Sequence, residues 1–168
     1  MSDKPTEHWS IEVQKDYLKF SAAHFLIFPD GTAERLHGHN YKVSVEVHTE
    51  LNQHGLVLNF REIKPLVRDL VDGLDEHLLI PGEHPVLTWR KIDGSIEILY
   101  RERRYLIPEE DVIVLPITNT SAENLAGYLG RKLHGLIAER WPAVRVRKLV
   151  MGVEETPGQR GVYTSLSS

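Results

Sequence analysis

His37-Gly38-His39 is the tripeptide of this 168-residue chain best suited to metal chemistry. In a strand, residues two apart share a face and lie roughly 6.6 Å apart along the chain. Two such imidazoles can reach one ion at roughly 2.0–2.1 Å per zinc–nitrogen bond. His24 ends an earlier run on apolar parity (Leu18, Phe20, Ala22, His24). If the two segments pair through residues 25–36, it faces the His-Gly-His pair. Three neutral imidazoles and an open fourth position form the pattern of a catalytic zinc, and nitrogen donors favour zinc over magnesium or calcium. An isolated His-x-His is ordinary strand content, but the small Gly38 and a third histidine on a matching face bring the metal reading level with that one. His8, His48, His54, His84 and His134 fall on polar faces or loops, where solvation is expected. The chain has no cysteine, which excludes disulfides, thiolate zinc and a cysteine nucleophile. A metal here must be held by histidine and carboxylate.

The elements that position these residues follow from the patterning. Residues 10–24 alternate as a strand, and a second strand, 37–49, places His37, His39, Tyr41, Val43, Val45 and Val47 on one face. Pro29-Asp30-Gly31 marks a turn between them. A helix is predicted over 60–79, capped by Asn59 with Glu62, with Pro65 disturbing its start. TWRKI and SIEILY, joined by Asp93-Gly94, predict a hairpin within 88–107. A second helix is predicted over about 121–140, with Thr120 as cap, Glu123 at the third position and Trp141-Pro142 as terminator. Strands over 144–156 and 160–166, turned at Pro157-Gly158, complete the order. The fold class is α+β: a mostly antiparallel four-stranded sheet with two helices on one face. Its open sheet edges invite pairing with other subunits.

Length suits one domain spanning 1–168, with 1–8 expected to be disordered and about 82–116 forming an inserted hairpin region. Hydrophobic residues make up 41% of the chain, enough for a globular core. Twenty basic and 24 acidic residues leave a net charge of -4, which gives no argument for nucleic acid or an anionic membrane. The polar first eight residues lack the apolar run of a signal peptide. Nor does any apolar stretch approach the ~20 residues of a membrane span. A soluble cytoplasmic protein is the expectation.

Phe20-Ser21-Ala22-Ala23-His24, Leu36-His37-Gly38-His39-Asn40-Tyr41, Leu74-Asp75 and Glu154-Glu155-Thr156 together resemble the 6-pyruvoyltetrahydropterin synthase and 6-carboxytetrahydropterin synthase family across roughly residues 10–166. The resemblance implies the tunnelling fold, with trimeric barrels stacked into a homo-hexamer and sites at subunit interfaces. It implies zinc on His24, His37 and His39, and a dihydropterin substrate, usually 7,8-dihydroneopterin triphosphate made from GTP. It implies Glu155 as the anchor of the pterin ring. That residue shares strand parity with Leu149, Met151 and Val153. A buried carboxylate needs donors, and the pterin edge offers two in parallel. Thr120, Ser121 and Glu123 fall where the family has a Thr/Ser-Glu segment near the pterin, although the same residues suit a helix cap.

The chain departs from the family at its acid–base set. The usual catalytic cysteine, four residues before the first histidine of His-Gly-His, is Ala33 here. Asp75 is kept, but Glu76 takes the position of the histidine that partners the cysteine, with His77 next. Glu34 gives Glu-x-x-His-Gly-His, which resembles the subfamily in which a glutamate replaces the cysteine and the pterin side chain is cleaved to 6-hydroxymethyl-7,8-dihydropterin, a folate precursor. A carboxylate can take a side-chain hydroxyl proton as the adjacent carbon–carbon bond breaks, with zinc as Lewis acid. Alternatively, Glu34 is a solvated loop charge beside Arg35, and Asp75-Glu76-His77 is a polar helix terminus. The leading expectation is a zinc-dependent lyase acting on 7,8-dihydroneopterin triphosphate. One rival is 6-carboxytetrahydropterin or 6-pyruvoyltetrahydropterin formation by a rewired set such as Asp75 with His77; folate and queuosine synthesis are both candidate pathways. A second is a non-catalytic pterin-binding protein.

Overall fold

The computed structural model describes residues 6–167, so the first five of the eight residues expected to be disordered lie outside the description. Residues 6–8 carry no regular structure. β1 (Trp9–His24) and β2 (His37–Thr49) pair antiparallel, setting His24 opposite His37 and Ala22 opposite His39. The pairing shifts register between Gln14 and Lys19. This irregularity exchanges the parity of β1, so that Val13 and Leu18 both reach the core. It also leaves His24 pointing inward at the strand's end.

α1 (Phe60–Asp72) starts where expected, with the Asn59 side chain accepting from the Arg61 N–H. Pro65 lies inside the helix, whose start is regular. The predicted end at 79 is corrected. The chain leaves the helix at Gly73 and turns through Glu76 at φ 58°, and His77–Pro81 forms β3. Leu74 and Leu78 fit helical spacing, but Leu78-Leu79-Ile80 is a buried apolar run in parallel pairing with β1 at Leu78 and with Val112–Leu115 along its length, and continuous burial of that kind suits a strand.

β4 (Thr88–Ile92), β5 (Ser95–Tyr100) and β6 (Arg103–Pro108) form a separate three-stranded antiparallel sheet. Asp93 and Gly94, both at positive φ (47° and 75°), make the two-residue turn expected of that dipeptide. The inserted hairpin is thus extended by a third strand. β7 (Val112–Leu115) then returns to pair parallel with β3.

α2 (Ala122–Arg140) is capped by Ser121, whose side chain accepts from the Asn124 N–H, and not by Thr120. Thr120 is excluded from the role because its hydroxyl donates to the Phe25 carbonyl. β8 (Lys148–Thr156) pairs with β2, and β9 (Gln159–Leu166) pairs with β8 across the Gly158 turn. The start of β8 at 148 corrects the earlier start at 144, since residues 142–147 are irregular. The main sheet runs β7-β3-β1-β2-β8-β9: the four expected antiparallel strands, with two short parallel strands added beside β1.

Both helices cover one face of this sheet. Ile63, Val67 and Val71 of α1 and Leu125, Leu129 and Leu133 of α2 pack in one core with Tyr41, Val43 and Val45 of β2. His37 and His39 share that face of β2, so the histidines stand at the end of the core. A second apolar cluster, including Phe25, Leu78, Ile80, Ile96 and Ile98, joins the small sheet to the ends of β1 and β3.

Candidate metal centre

Strand pairing alone brings the three histidines together. His24 faces His37 across the β1–β2 ladder, and His39 follows two residues later on the same face. One ring nitrogen from each lies within 4.8 Å of the others, and the Nε2 atoms of His37 and His39 are 2.9 Å apart.

Backbone carbonyls fix which nitrogen of the His24 and His37 rings is free. His24 Nδ1 lies 2.9 Å from the Thr120 carbonyl and His37 Nδ1 2.7 Å from the Arg35 carbonyl. A carbonyl can only accept, so both Nδ1 atoms donate and both Nε2 atoms present lone pairs inward. His24 is fully buried, and its Nε2 has no hydrogen-bond partner. Glu155 Oε1 lies 3.2 Å from that nitrogen and 3.5 Å from His39 Nε2. Two imidazole lone pairs and the Glu155 carboxylate thus converge beside the His39 ring. A cation relieves that repulsion, and this imidazole set suits zinc.

Burial holds His24 below its ordinary pKa of 6.5, more strongly than the Thr120 carbonyl and Glu155 raise it. The neutral ring required of a ligand is therefore the favoured form. Unfolding restores the ordinary value, so below pH 6.5 the unfolded chain binds a proton that folded His24 resists. The stability contributed by neutral His24 is complete above 6.5 and is lost as pH falls below it. Thermal unfolding of the metal-free protein between pH 7.5 and 5 should show Tm falling more steeply in the wild type than in His24→Asn.

Two carboxylates flank the histidines. Glu155, near the end of β8, continues the buried parity of Leu149, Met151 and Val153 and is itself half-buried. The Tyr41 hydroxyl lies 3.5 Å from its Oε1. Burial, and next the Glu155 charge, push the Tyr41 pKa upward, which keeps Tyr41 a phenol able to donate. Glu34 is the second, with Oε2 3.8 Å from His37 Nε2. It is held at both ends: its N–H donates to the Leu26 carbonyl at 3.0 Å, and its Oε2 accepts from the Leu26 N–H at 3.1 Å.

A cavity of about 700 Å³ opens beside His39 and Glu155, within the range of small-molecule sites. Glu76 and His77 line its far wall, and Ile107 and Asp111 from the inserted region complete it. Asp75 is occupied elsewhere, its carboxylate accepting from the Ser21 N–H at 2.7 Å. Thr120 sits behind His24 and orients it. The Ser121 hydroxyl caps α2, and Glu123 is exposed on the first turn of that helix. The structure therefore gathers His24, His37, His39, Glu34 and Glu155, and leaves Asp75, Ser121 and Glu123 out of that cluster. Of the remaining histidines, His84 is half-buried and its Nδ1 accepts from the Val86 and Leu87 N–H groups. His48 lies 2.7 Å from Glu46. His84 thus has partners where solvation was expected, whereas His48 Nε2, despite the nearby carboxylate, makes no hydrogen bond. Tyr41 and the Thr120 carbonyl were missed from sequence. Parity with His37 and His39 could have flagged Tyr41, whereas a backbone carbonyl leaves no trace in residue type.

A family model described as 6-pyruvoyl tetrahydropterin synthase matches residues 12–165. A Methanocaldococcus jannaschii protein provisionally named 6-carboxy-5,6,7,8-tetrahydropterin synthase is 37% identical over 117 residues, covering 69% of this chain and 71% of that protein. The 6-carboxy-5,6,7,8-tetrahydropterin synthase of Bacillus subtilis is 31% identical over 123 residues, covering 72% and 69%. Among solved structures, the 6-pyruvoyl tetrahydropterin synthase of Plasmodium vivax superposes with a TM-score of 0.88 at 26% identity, covering 96% of this chain and 100% of that one. A variant of the same enzyme, solved separately, has a glutamate described as a catalytic residue replaced by alanine.

Proposed function

This chain belongs to the 6-pyruvoyl tetrahydropterin synthase family, and from that premise we propose that it is a zinc-dependent lyase that cleaves the side chain of 7,8-dihydroneopterin triphosphate to 6-hydroxymethyl-7,8-dihydropterin. The observation that carries this reading is Glu34, a carboxylate anchored 3.8 Å from His37 Nε2, next to an alanine with no group to move a proton. The catalytic glutamate of the Plasmodium vivax relative supports carboxylate chemistry on this fold.

His24, His37 and His39 would hold the zinc, which when bound supplies Lewis acidity beside the substrate side chain. Glu155 accepts from the amino group and adjacent N–H of the pterin ring, and Tyr41 steadies its carboxylate. Glu34 takes the proton from the C2′ hydroxyl. The C2′ oxygen becomes a carbonyl, the C1′–C2′ bond breaks, and its electron pair passes to the ring imine conjugated with C1′. The proton held on Glu34 is then returned at C1′. The products are 6-hydroxymethyl-7,8-dihydropterin and a two-carbon aldehyde that keeps the triphosphate, so no redox partner is needed.

A homo-hexamer is part of this reading, supported by the family and by the open edges of the main sheet at β7 and β9. So is a cytoplasmic setting, since the substrate is made from GTP. Among the described residues no helix is long and apolar enough to cross a membrane.

Incubating the zinc-loaded protein with 7,8-dihydroneopterin triphosphate and separating the pterins tests the proposal. 6-Hydroxymethyl-7,8-dihydropterin is the expected product. A second reading, 6-carboxytetrahydropterin formation, draws on the names of the sequence relatives; that product in the same separation would replace the first. Binding without any product would leave a carrier.

A further inference from the structure

We propose that Arg103, carried by the inserted sheet, is a positioning residue that holds the catalytic carboxylate of Glu34 against the metal centre; this rests on the reading of Glu34 as the base. Seventy residues separate it from that loop, yet its guanidinium spans two consecutive carbonyls. Nη2 donates to the Ala33 carbonyl at 2.8 Å and Nη1 to the Glu34 carbonyl. A planar fork on two adjacent acceptors fixes the peptide plane between them, which a single contact cannot do.

The rest of the β5–β6 turn rides on the same loop. The Tyr100 hydroxyl donates to the Gly31 carbonyl at 2.8 Å. Arg101 packs directly over Gly31, whose φ of 79° and lack of a Cβ allow that approach. Tyr105 stacks on Phe25 with ring centroids 5.6 Å apart. These contacts cover the segment from Gly31 to Glu34, whose other side is tied to β1's continuation by the Ile27–Ala33 bridge and the paired Leu26 contacts of Glu34. The loop is clamped from two sides, and one clamp belongs entirely to the insert. A base must stand within hydrogen-bond reach of its proton, and a displacement of about 1 Å can cost roughly a hundredfold in rate.

The test compares Arg103→Ala, Arg103→Lys and Glu34→Gln, singly and combined, in the zinc-loaded protein with 7,8-dihydroneopterin triphosphate. Arg103→Ala should lower kcat by about 10- to 100-fold with KM and zinc content close to wild type. Arg103→Lys keeps the stem and one contact and should fall between the two; it also guards against a folding defect in the alanine variant. Adding Arg103→Ala to Glu34→Gln should cause no further loss. Amide hydrogen exchange across residues 31–35 should quicken in Arg103→Ala, a readout independent of turnover. Arg104→Ala, on the opposite face of the same strand, should retain wild-type kcat. Wild-type kcat in Arg103→Ala, an additive loss in the double variant, unchanged exchange, or an equal loss in Arg104→Ala would each overturn the assignment. Full activity in Glu34→Gln would instead remove the base itself, a failure distinguishable from these.

Discussion

Glu34→Gln should reduce kcat with 7,8-dihydroneopterin triphosphate by about 10²–10⁴-fold, the usual contribution of a positioned general base. Glutamine is the informative replacement because it keeps the shape and the acceptor oxygen. The Leu26 N–H that now donates to Glu34 Oε2 can still donate to an amide oxygen, so the loop stays closed while the ability to take a proton is lost. Zinc content should be unchanged, because His24, His37 and His39 are intact and Glu34 stands 3.8 Å from the nearest of their nitrogens. KM should also move little, since on this reading Glu155, not Glu34, holds the ring. Single-turnover kinetics with metal analysis of the same preparation checks all three. A loss of zinc would make Glu34 a ligand, and unchanged turnover would remove it from the mechanism.

His37→Ala should lower zinc affinity by more than about a hundredfold, since even outer-sphere partners of metal ligands cost 10–100-fold. The affected histidine is about a third exposed, its side chain 37% accessible, so the core is not opened and the variant should fold. Competition with a chromophoric chelator gives the affinity directly. Turnover should fall with zinc occupancy, and pterin binding through Glu155 should survive in part. Stoichiometric zinc in His37→Ala at wild-type affinity would contradict the ligand set.

The contrast between these two variants parallels what could be read from sequence. His24, His37 and His39 were legible because strand alternation fixes which side chains share a face, and antiparallel pairing did the rest. The β1 register shift was hidden, because both halves of the strand alternate correctly on their own parity. The end of α1 was missed because Leu74 and Leu78 satisfy helical spacing even though the chain has already turned at Gly73. Thr120 looked like a cap by residue type, yet the buried Phe25 carbonyl claims its hydroxyl and Ser121 takes the cap. Glu34 was nameable, but only the Leu26 contacts distinguish a held carboxylate from a solvated one. Arg103 left no signal at all, since it reads backbone carbonyls some seventy positions away and any residue would present them.

Phosphorus-31 NMR of the zinc-loaded protein turning over 7,8-dihydroneopterin triphosphate tests the central claim most directly. Cleavage of the C1′–C2′ bond by Glu34 leaves the triphosphate esterified to the two-carbon fragment. The expected spectrum therefore shows a new triphosphate ester rising with 6-hydroxymethyl-7,8-dihydropterin, and no free inorganic triphosphate. Release of inorganic triphosphate in step with pterin consumption would mean that the phosphate is eliminated from the side chain, and would contradict the account.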